Sequence, residues 1–304
     1  MIEFSLSTAW NARTAPDAFS MIRDIKDLGF GRVELNFTLT SKDIRDIISL
    51  KEKEALEITS LHNYCPVPEG ISPGKASPDC YNISSLDEGE RRKAIEATKV
   101  TIETAKRLNA RFVILHLGRV EIEDGTRALA ASLDNKAEYE YIRKKMTDGR
   151  RESASLNFKK TLMSVDELLG FAKRHNIILG AETRFYHREI PSLDEFEELF
   201  REFTDTALGY WHDVGHAQLF QNLGLAKHKD FLDRLSHRMV GMHIHDISGT
   251  DDHRAPLQGD FDFSLLKPYL KKKTMLVLEP HQPATGGEIK RGAEYLSKLF
   301  GDIL

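Results

Sequence analysis

The sequence is poor in cysteine, with two among 304 residues. Cys65 and Cys80 share one Pro-, Gly- and Ser-rich segment. Two cysteines do not make a disulfide-stapled scaffold, and they are expected to be reduced thiols in a cytoplasmic protein. No apolar run approaches the length of a membrane span, and the start "MIEFSLSTAW" has no basic stretch leading into an apolar one. A membrane partner and a leader peptide are therefore not expected. An excess of positive charge is also missing. The net charge of −4 and the pI near 6.3 argue against broad, non-specific nucleic-acid affinity. No Gly-rich fingerprint follows the first strand-like run, which argues against a dinucleotide-binding sheet. No low-complexity tract or linker divides the chain, so one domain is expected over residues 1–304.

Hydrophobic residues make up 40% of the chain and charged residues 30%, the balance of a globular protein with a full core. Eight short runs read as strands: 3–8, 32–37, 57–62, 111–116, 177–182, 207–213, 239–245 and 274–279. Most are rich in Val, Ile and Leu, as strands buried on both faces are. Amphipathic stretches separate them. One follows the first strand and stops near Gly29, a second lies over "SKDIRDIISLKEKEA", and a third opens with Ser85 and Glu88 at capping-box spacing. Others are "FKKTLMSVDELLGFAKRHN", "SLDEFEELFREF" with Ser192 and Glu195 at the same spacing, "FDFSLLKPYLKKK", and "GGEIKRGAEYLSKLF". Eight strand–helix units predict an α/β fold, a single (β/α)8 TIM barrel, with any active site at the C-terminal ends of its strands.

The ligand-type residues fall at that end. His62 ends the third strand, His116 the fourth, Glu182 the fifth and Asp213 the sixth, with His216 three residues on in "HDVGH". His243 lies near the end of the seventh strand and Glu279 ends the eighth. A lone strand-end histidine is commonly structural, and a strand-end carboxylate commonly caps the next helix. Seven such residues at one end of six successive strands point instead to a divalent metal: Zn, Mn, Co or Fe. The positions two residues earlier are mostly small (Ser60, Gly180, Gly241, with Trp211 the exception), which leaves room beneath a site. His245 shares the inward face with His243, so either can be the seventh-strand ligand. His212 has the opposite parity to Asp213 and is expected behind the barrel wall.

Two long segments on the same face, about 63–84 and 118–154, read as loops that shape the pocket or as solvated insertions. Within the second, Arg143, Lys144, Lys145, Arg150 and Arg151 could meet a phosphate or form a wet helix face. Arg184, Tyr186 and His187 in "ETRFYHREIP" are candidate substrate contacts. Gly286 and Gly287 could cradle an anion, but a plain helix start is the simpler reading.

The segments "GRVELNF", "SLHNY", "VILHLG", "LGAETR", "HDVGHAQ", "GMHIHD", "LQGDFDF" and "LVLEPH" together resemble the xylose isomerase-like TIM barrels. These include sugar isomerases and epimerases and also endonuclease IV. The resemblance spans nearly the whole chain. Through its ketose 3-epimerase branch it implies one metal on Glu182, Asp213, His243 and Glu279. In that branch the two glutamates also exchange protons with a carbon beside a carbonyl whose oxygen the metal polarises, and His216 binds substrate. The pattern H-x-x-D, completed by Asp246, favours His243 as the ligand and leaves His245 to support it or to touch substrate. The endonuclease IV branch implies further metals on His62, His116, His216, Asp251 and His253. The first strand lacks that branch's histidine-containing signature, and the residues after Glu182 differ from its Gly-containing sequence. The expected activity is a metal-dependent isomerase or epimerase acting on a small sugar-like hydroxy-carbonyl compound. The alternative is a multinuclear zinc phosphoesterase, for which nucleic acid would be the partner. Barrels of this kind often dimerise or tetramerise, so a homo-oligomer is compatible with the sequence.

Overall fold

The computed structural model describes residues 2–303. Eight strands close into a barrel: β1 (Ser5–Ser7), β2 (Arg32–Leu35), β3 (Glu57–His62), β4 (Phe112–Leu115), β5 (Ile178–Glu182), β6 (Leu208–Asp213), β7 (Met239–Ile244) and β10 (Met275–Leu278). The spatial order is β1-β10-β7-β6-β5-β4-β3-β2, and every ladder is parallel. The strands lie within the predicted runs. Between β7 and β10 a short antiparallel hairpin, β8 (Asp246–Ser248) and β9 (Asp251–Arg254), stands apart from the barrel. Among the described residues no helix is long and apolar enough to cross a membrane.

The helices are α1 (Ala18–Asp27), α2 (Ser41–Lys53), α3 (Glu88–Arg107), α4 (Thr126–Ala131), α5 (Lys136–His175), α6 (Leu193–Glu202), α7 (Val214–Asn222), α8 (His228–Leu235) and α9 (Gly286–Phe300). Gly29, with φ of +93°, takes the left-handed turn that ends α1. Ser192 and Glu195 close a capping box on α6, and Thr285 and Glu288 close another on α9, so Gly286 and Gly287 begin a helix. At α3 the structure has a simple N-cap in place of the expected box. Asp87, not Ser85, caps α3 by accepting the Glu90 N–H, because aspartate is an equally good cap and sits three residues before Glu90. Ser85 instead donates to the Glu121 carboxylate. The segment before β10 is a 3-10 helix over Phe263–Tyr269, since Pro268 inside it has no N–H to give an α-helical ladder.

The segment 118–154 is not a loop over its whole length. Its second half begins α5, a 40-residue helix that would span about 60 Å at 1.5 Å per residue. Helix-forming Glu, Lys, Arg and Ala fill its outer half, which buries only a narrow stripe at Met146, Arg150 and Ala154. That stripe is too sparsely apolar to show a clear period in the sequence. Met146 joins Leu129 of α4, Leu219 and Leu223 around the end of α7, and Ile247 of β8 in a small second core. Arg150 is buried and held by Glu195 at 2.5 Å and by the Glu189 carbonyl at 2.9 Å. Arg143, Lys144, Lys145 and Arg151 pair with Glu140, Asp148, Glu123 and Asp148, so the charge run is engaged within the protein.

The small residues of the barrel interior serve a different end from the one expected. Trp211 is fully buried and packs with Phe112, Ile114 and Val277 across the barrel. A Cβ added at Gly241 would lie 2.2 Å from its Cζ3, and one at Gly180 would lie 3.0 Å from its Cε3. The space beneath the strand ends therefore holds the indole, which floors the mouth. Gly241→Ala should cost about 1–3 kcal/mol through overpacking. Urea unfolding measures it, and adding Trp211→Phe should recover part of the loss; an unchanged midpoint in Gly241→Ala would refute the packing argument.

Candidate metal centre

The strand ends bring four ligand residues together at the barrel mouth. Glu182, Asp213, His243 and Glu279 place one ligand atom each within 4.8 Å of the others, all buried. His243 is the centre of the group. Its Nδ1 lies 2.7 Å from Glu182 Oε1, 3.1 Å from Glu279 Oε2 and 3.7 Å from Asp213 Oδ2. Its Nε2 faces Glu34 at 3.0 Å, and Glu34 also accepts from Ser60 at 2.7 Å. Glu34 was not among the expected residues. It lies inside β2 rather than at a strand end, and a carboxylate on an inward position of an apolar strand was the available signal.

Glu182 belongs to two groups at once. Its Oε2 lies 3.3 Å from His62 Nε2 and 3.0 Å from His116 Nε2, and these three residues form a second ligand set. The far nitrogens of both rings are engaged. His62 Nδ1 donates to the Asn63 carbonyl, and His116 Nδ1 donates to Asp79 Oδ2 at 2.9 Å. That leaves each Nε2 free to ligate, the arrangement by which a neighbouring acceptor fixes a metal-binding imidazole. Asp79 comes from the segment 63–84, which is thus part of the site. Arg184 is buried among Glu182 (3.3 Å), Glu189 (2.8 Å) and Asp79 (3.5 Å), so its guanidinium is held by protein carboxylates.

A third group lies over α7. His216 donates from Nδ1 to the Thr183 carbonyl, and His253 donates from Nδ1 to the Glu279 carbonyl. Their Nε2 atoms each stand 3.6 Å from Asp252 Oδ2, which is buried and has no hydrogen-bond partner among the described residues. Asp251 is not brought to this group. It is exposed and paired with Arg254 at 2.5 Å. His253 has φ of +53°, and this left-handed residue breaks the strand alternation that would have put 251 and 253 on one face. His245 stands beside the group with its ring nitrogens engaged. Nδ1 accepts the His253 N–H at 2.9 Å, and Nε2 donates to Asp213 at 3.0 Å. Its ring lies where a Cβ at Gly215 would be, 2.1 Å from Cε1. Asp246 accepts backbone N–H groups of Ile247, Leu257 and Phe261, pinning the loop after the hairpin. His187 is outside these groups; burial pushes it down to about 4. His281, also unforeseen, stacks on His253 at 3.7 Å.

The charge balance fits a cation. Burial would raise Glu182 and Asp213, but the surrounding histidines hold both far below the usual carboxylate range. Burial would lower His243, but Glu279, Glu34 and Glu182 push it well above its ordinary value. Glu279 is left over. Burial and the nearby Glu34, Glu182 and Asp213 push it up to about 8. The metal-free site thus retains protons on His243 and Glu279 that a divalent cation would displace.

This has a measurable consequence. Unfolded, Glu279 titrates near 4.5; folded, near 8. Between those values the folded chain holds a proton that the unfolded chain has released, so this group's contribution to metal-free stability falls as pH rises through about 4.5–8, whereas the buried neutral His187, His212, His228, His253 and His281 contribute the opposite sign below 6.5 and leave the net fall above it. The raised His243 has the same sign and extends the fall above its ordinary value of 6.5. Urea midpoints in chelator between about pH 6.5 and 8 test it; a midpoint that climbs there would refute it.

Behind the barrel wall, His212 is pushed by burial down to about 4 and His228 well below its ordinary value, so both are neutral. Cys65 and Cys80 are unbridged.

A family model described as xylose isomerase-like TIM barrel matches residues 22–299. An uncharacterized protein, y4fM of Sinorhizobium fredii, is 24% identical over 255 residues, covering 80% of this chain and 73% of that one. Among solved structures, an L-ribulose 3-epimerase superposes with a TM-score of 0.70 at 15% identity, covering 99% of this chain and 95% of that one. The IolI protein with a bound zinc atom superposes at 0.67 and 12% identity, covering 100% and 99%.

Proposed function

The chain belongs to the xylose isomerase-like TIM barrels, and from that membership we propose that it is a metal-dependent isomerase or epimerase acting on a small sugar-like hydroxy-carbonyl compound. One observation carries the reading. Glu182, Asp213, His243 and Glu279 converge at the mouth with their ligand atoms within 4.8 Å, and the two glutamates both reach His243 Nδ1. The L-ribulose 3-epimerase and the zinc-bound IolI among the structural neighbours support it. These four residues would hold a divalent cation, whose charge would acidify a C–H beside a carbonyl. The protein's own part is positional. Glu182 and Glu279 take and return the carbon-bound proton, and their burial excludes competing water. Trp211 beneath His243 closes the barrel side of the site, with ring centroids 5.3 Å apart. His216, whose Nε2 is directed outward from Thr183, is the nearest candidate for a substrate hydroxyl.

Solvent deuterium incorporation into a ketose panel tests this. The reading expects exchange at the carbon next to the carbonyl, with one tightly bound ion per chain. No exchange or turnover across the panel in metal-restored protein would overturn it.

A second reading is favoured by two further groups, His62–His116–Glu182 and the His216–His253 pair with Asp252 Oδ2 3.6 Å from each Nε2. Filled with cations, they suit a multinuclear phosphoesterase that activates water and stabilises a leaving oxygen. Two or three zinc ions per chain, with cleavage of abasic-site DNA, would select it over the first.

A further inference from the structure

Behind the barrel wall a run of polar side chains, buried at its inner end and half-buried at its outer end, belongs to none of the ligand groups, yet it ends on two of them. Its outer end is the Gly249 carbonyl, in the turn between β8 and β9. Asn222 Nδ2 donates to that oxygen, and Gln218 Nε2 donates to Asn222 Oδ1 at 2.8 Å. Gln218 Oε1 faces His228 Nδ1 at 3.1 Å, and His228 Nε2 faces His212 Nε2 at 3.0 Å. His212 Nδ1 meets the Tyr210 hydroxyl at 2.7 Å, and that hydroxyl meets Thr183 Oγ1 at 2.7 Å. Thr183 Oγ1 receives the Asp213 backbone N–H at 3.4 Å.

A carbonyl can only accept, so Gly249 fixes the direction of the whole run. Asn222 must present its NH2 to Gly249 and its oxygen to Gln218. Gln218 must then present its oxygen to His228, which donates from Nδ1. Neutral His228 has only its Nε2 lone pair left for His212, so His212 donates from Nε2. His212 in turn accepts from Tyr210 at Nδ1, and Tyr210 accepts from Thr183. The opposite direction would set Asn222 Oδ1 against the Gly249 oxygen. His228, His212 and Tyr210 are wholly buried, where each unmade bond would be costly.

We propose that this one-way relay is a positioning device for the His216–Asp252–His253 group, with His212 and His228 its positioning residues. At its inner end the Thr183 hydroxyl is committed to Tyr210 and Asp213, which fixes the peptide whose carbonyl receives His216 Nδ1–H. At its outer end Asn222 holds the turn that leads into β9, where Asp252 and His253 lie. The relay thus sets the two sides of one ligand group at a common spacing, across β5, β6, α7, α8 and the hairpin. The metal part of this inference rests on the reading of that group as a cation site.

The test compares His228→Leu with His228→Gln, because glutamine can still donate to Gln218 and accept from His212 while leucine can do neither. Long-range 1H–15N spectra of the wild type should show His228 protonated at Nδ1 and His212 at Nε2, both neutral. In zinc titrations, His228→Leu should lose about 10–100-fold in affinity at this group, and His228→Gln should regain most of it. Amide exchange across 250–253 should quicken in the leucine variant alone. The ion on Glu182, Asp213, His243 and Glu279 should be retained throughout. If His228→Leu does not fold, Asn222→Ala cuts the relay at its exposed end and should turn the single His212 tautomer into a mixture. The inverse tautomer in the wild type overturns the relay. So does a folded leucine variant, or Asn222→Ala, with wild-type tautomers and amide exchange. If the wild type takes no second zinc, the cation reading of the group fails, while tautomers and exchange still decide the relay.

Discussion

Glu182→Gln is expected to strip two ligand groups at once. Its Oε1 serves His243, and its Oε2 serves His62 and His116. An amide keeps the shape but loses the charge that binds cations and opposes three rings and the Arg184 guanidinium. Breaking a buried pair by neutralising one member costs about 3–5 kcal/mol, so the metal-free variant should unfold at markedly lower denaturant. Elemental analysis should show loss of the ion on the Asp213–His243–Glu279 side as well as any ion on the His62–His116 side. Turnover should fall by about 100- to 10,000-fold, the usual worth of a positioned proton carrier. Full metal content in Glu182→Gln would contradict the shared role.

Glu279→Gln should behave oppositely in the metal-free protein. Glu279 is the carboxyl that burial and three neighbouring carboxylates push up to about 8. An amide there removes a group that resists ionising, so metal-free stability at pH 8 and above should rise, by on the order of 1–3 kcal/mol. Relative to the parent, the variant should gain stability progressively as pH rises through about 4.5–8. Cation affinity and turnover should both drop, turnover again by about 100- to 10,000-fold. Thermal unfolding in chelator and then with added metal reads both signs. A metal-free variant less stable than the parent above pH 8 would show that the charge at 279 is compensated by the protein alone.

Much of this site was legible because a barrel strand is short and its side chains alternate. Once the eight apolar runs are placed, His62, Glu182, Asp213 and Glu279 fall at one end by counting alone; parity leaves His243 and His245 as alternatives, and the H-x-x-D resemblance favours His243. Glu34 escaped because it sits one residue before the end of β2 and reaches the site through His243 and Ser60. Asp79 lies in an irregular segment, where no period predicts direction, and is recruited by His116. Asp252 escaped because the resemblance to endonuclease IV matched its D-x-H pair to Asp251 and His253, and the positive φ of His253 turns the chain so that Asp252 faces the group instead. The outer half of α5 read as a loop because solvent covers most of it and leaves only one buried residue per turn. The relay from Gly249 to Thr183 has no sequence signature, since hydrogen-bond direction is a property of the assembled partners.

That long α5 also constrains how this protein can change length. Its inner half is seated on the barrel, while Met146 and Arg150 of its outer half grip the mouth through α7 and the Glu189–Glu195 segment. Each residue added or removed between them rotates one half against the other by about 100°. A single deletion would swing Met146 and Arg150 off the mouth, whereas losing seven or eleven residues, about two or three whole turns, would bring the same face round again. Insertions here are therefore quantised: the wall of the mouth can grow or shrink by turns, and its facing is conserved only at those steps.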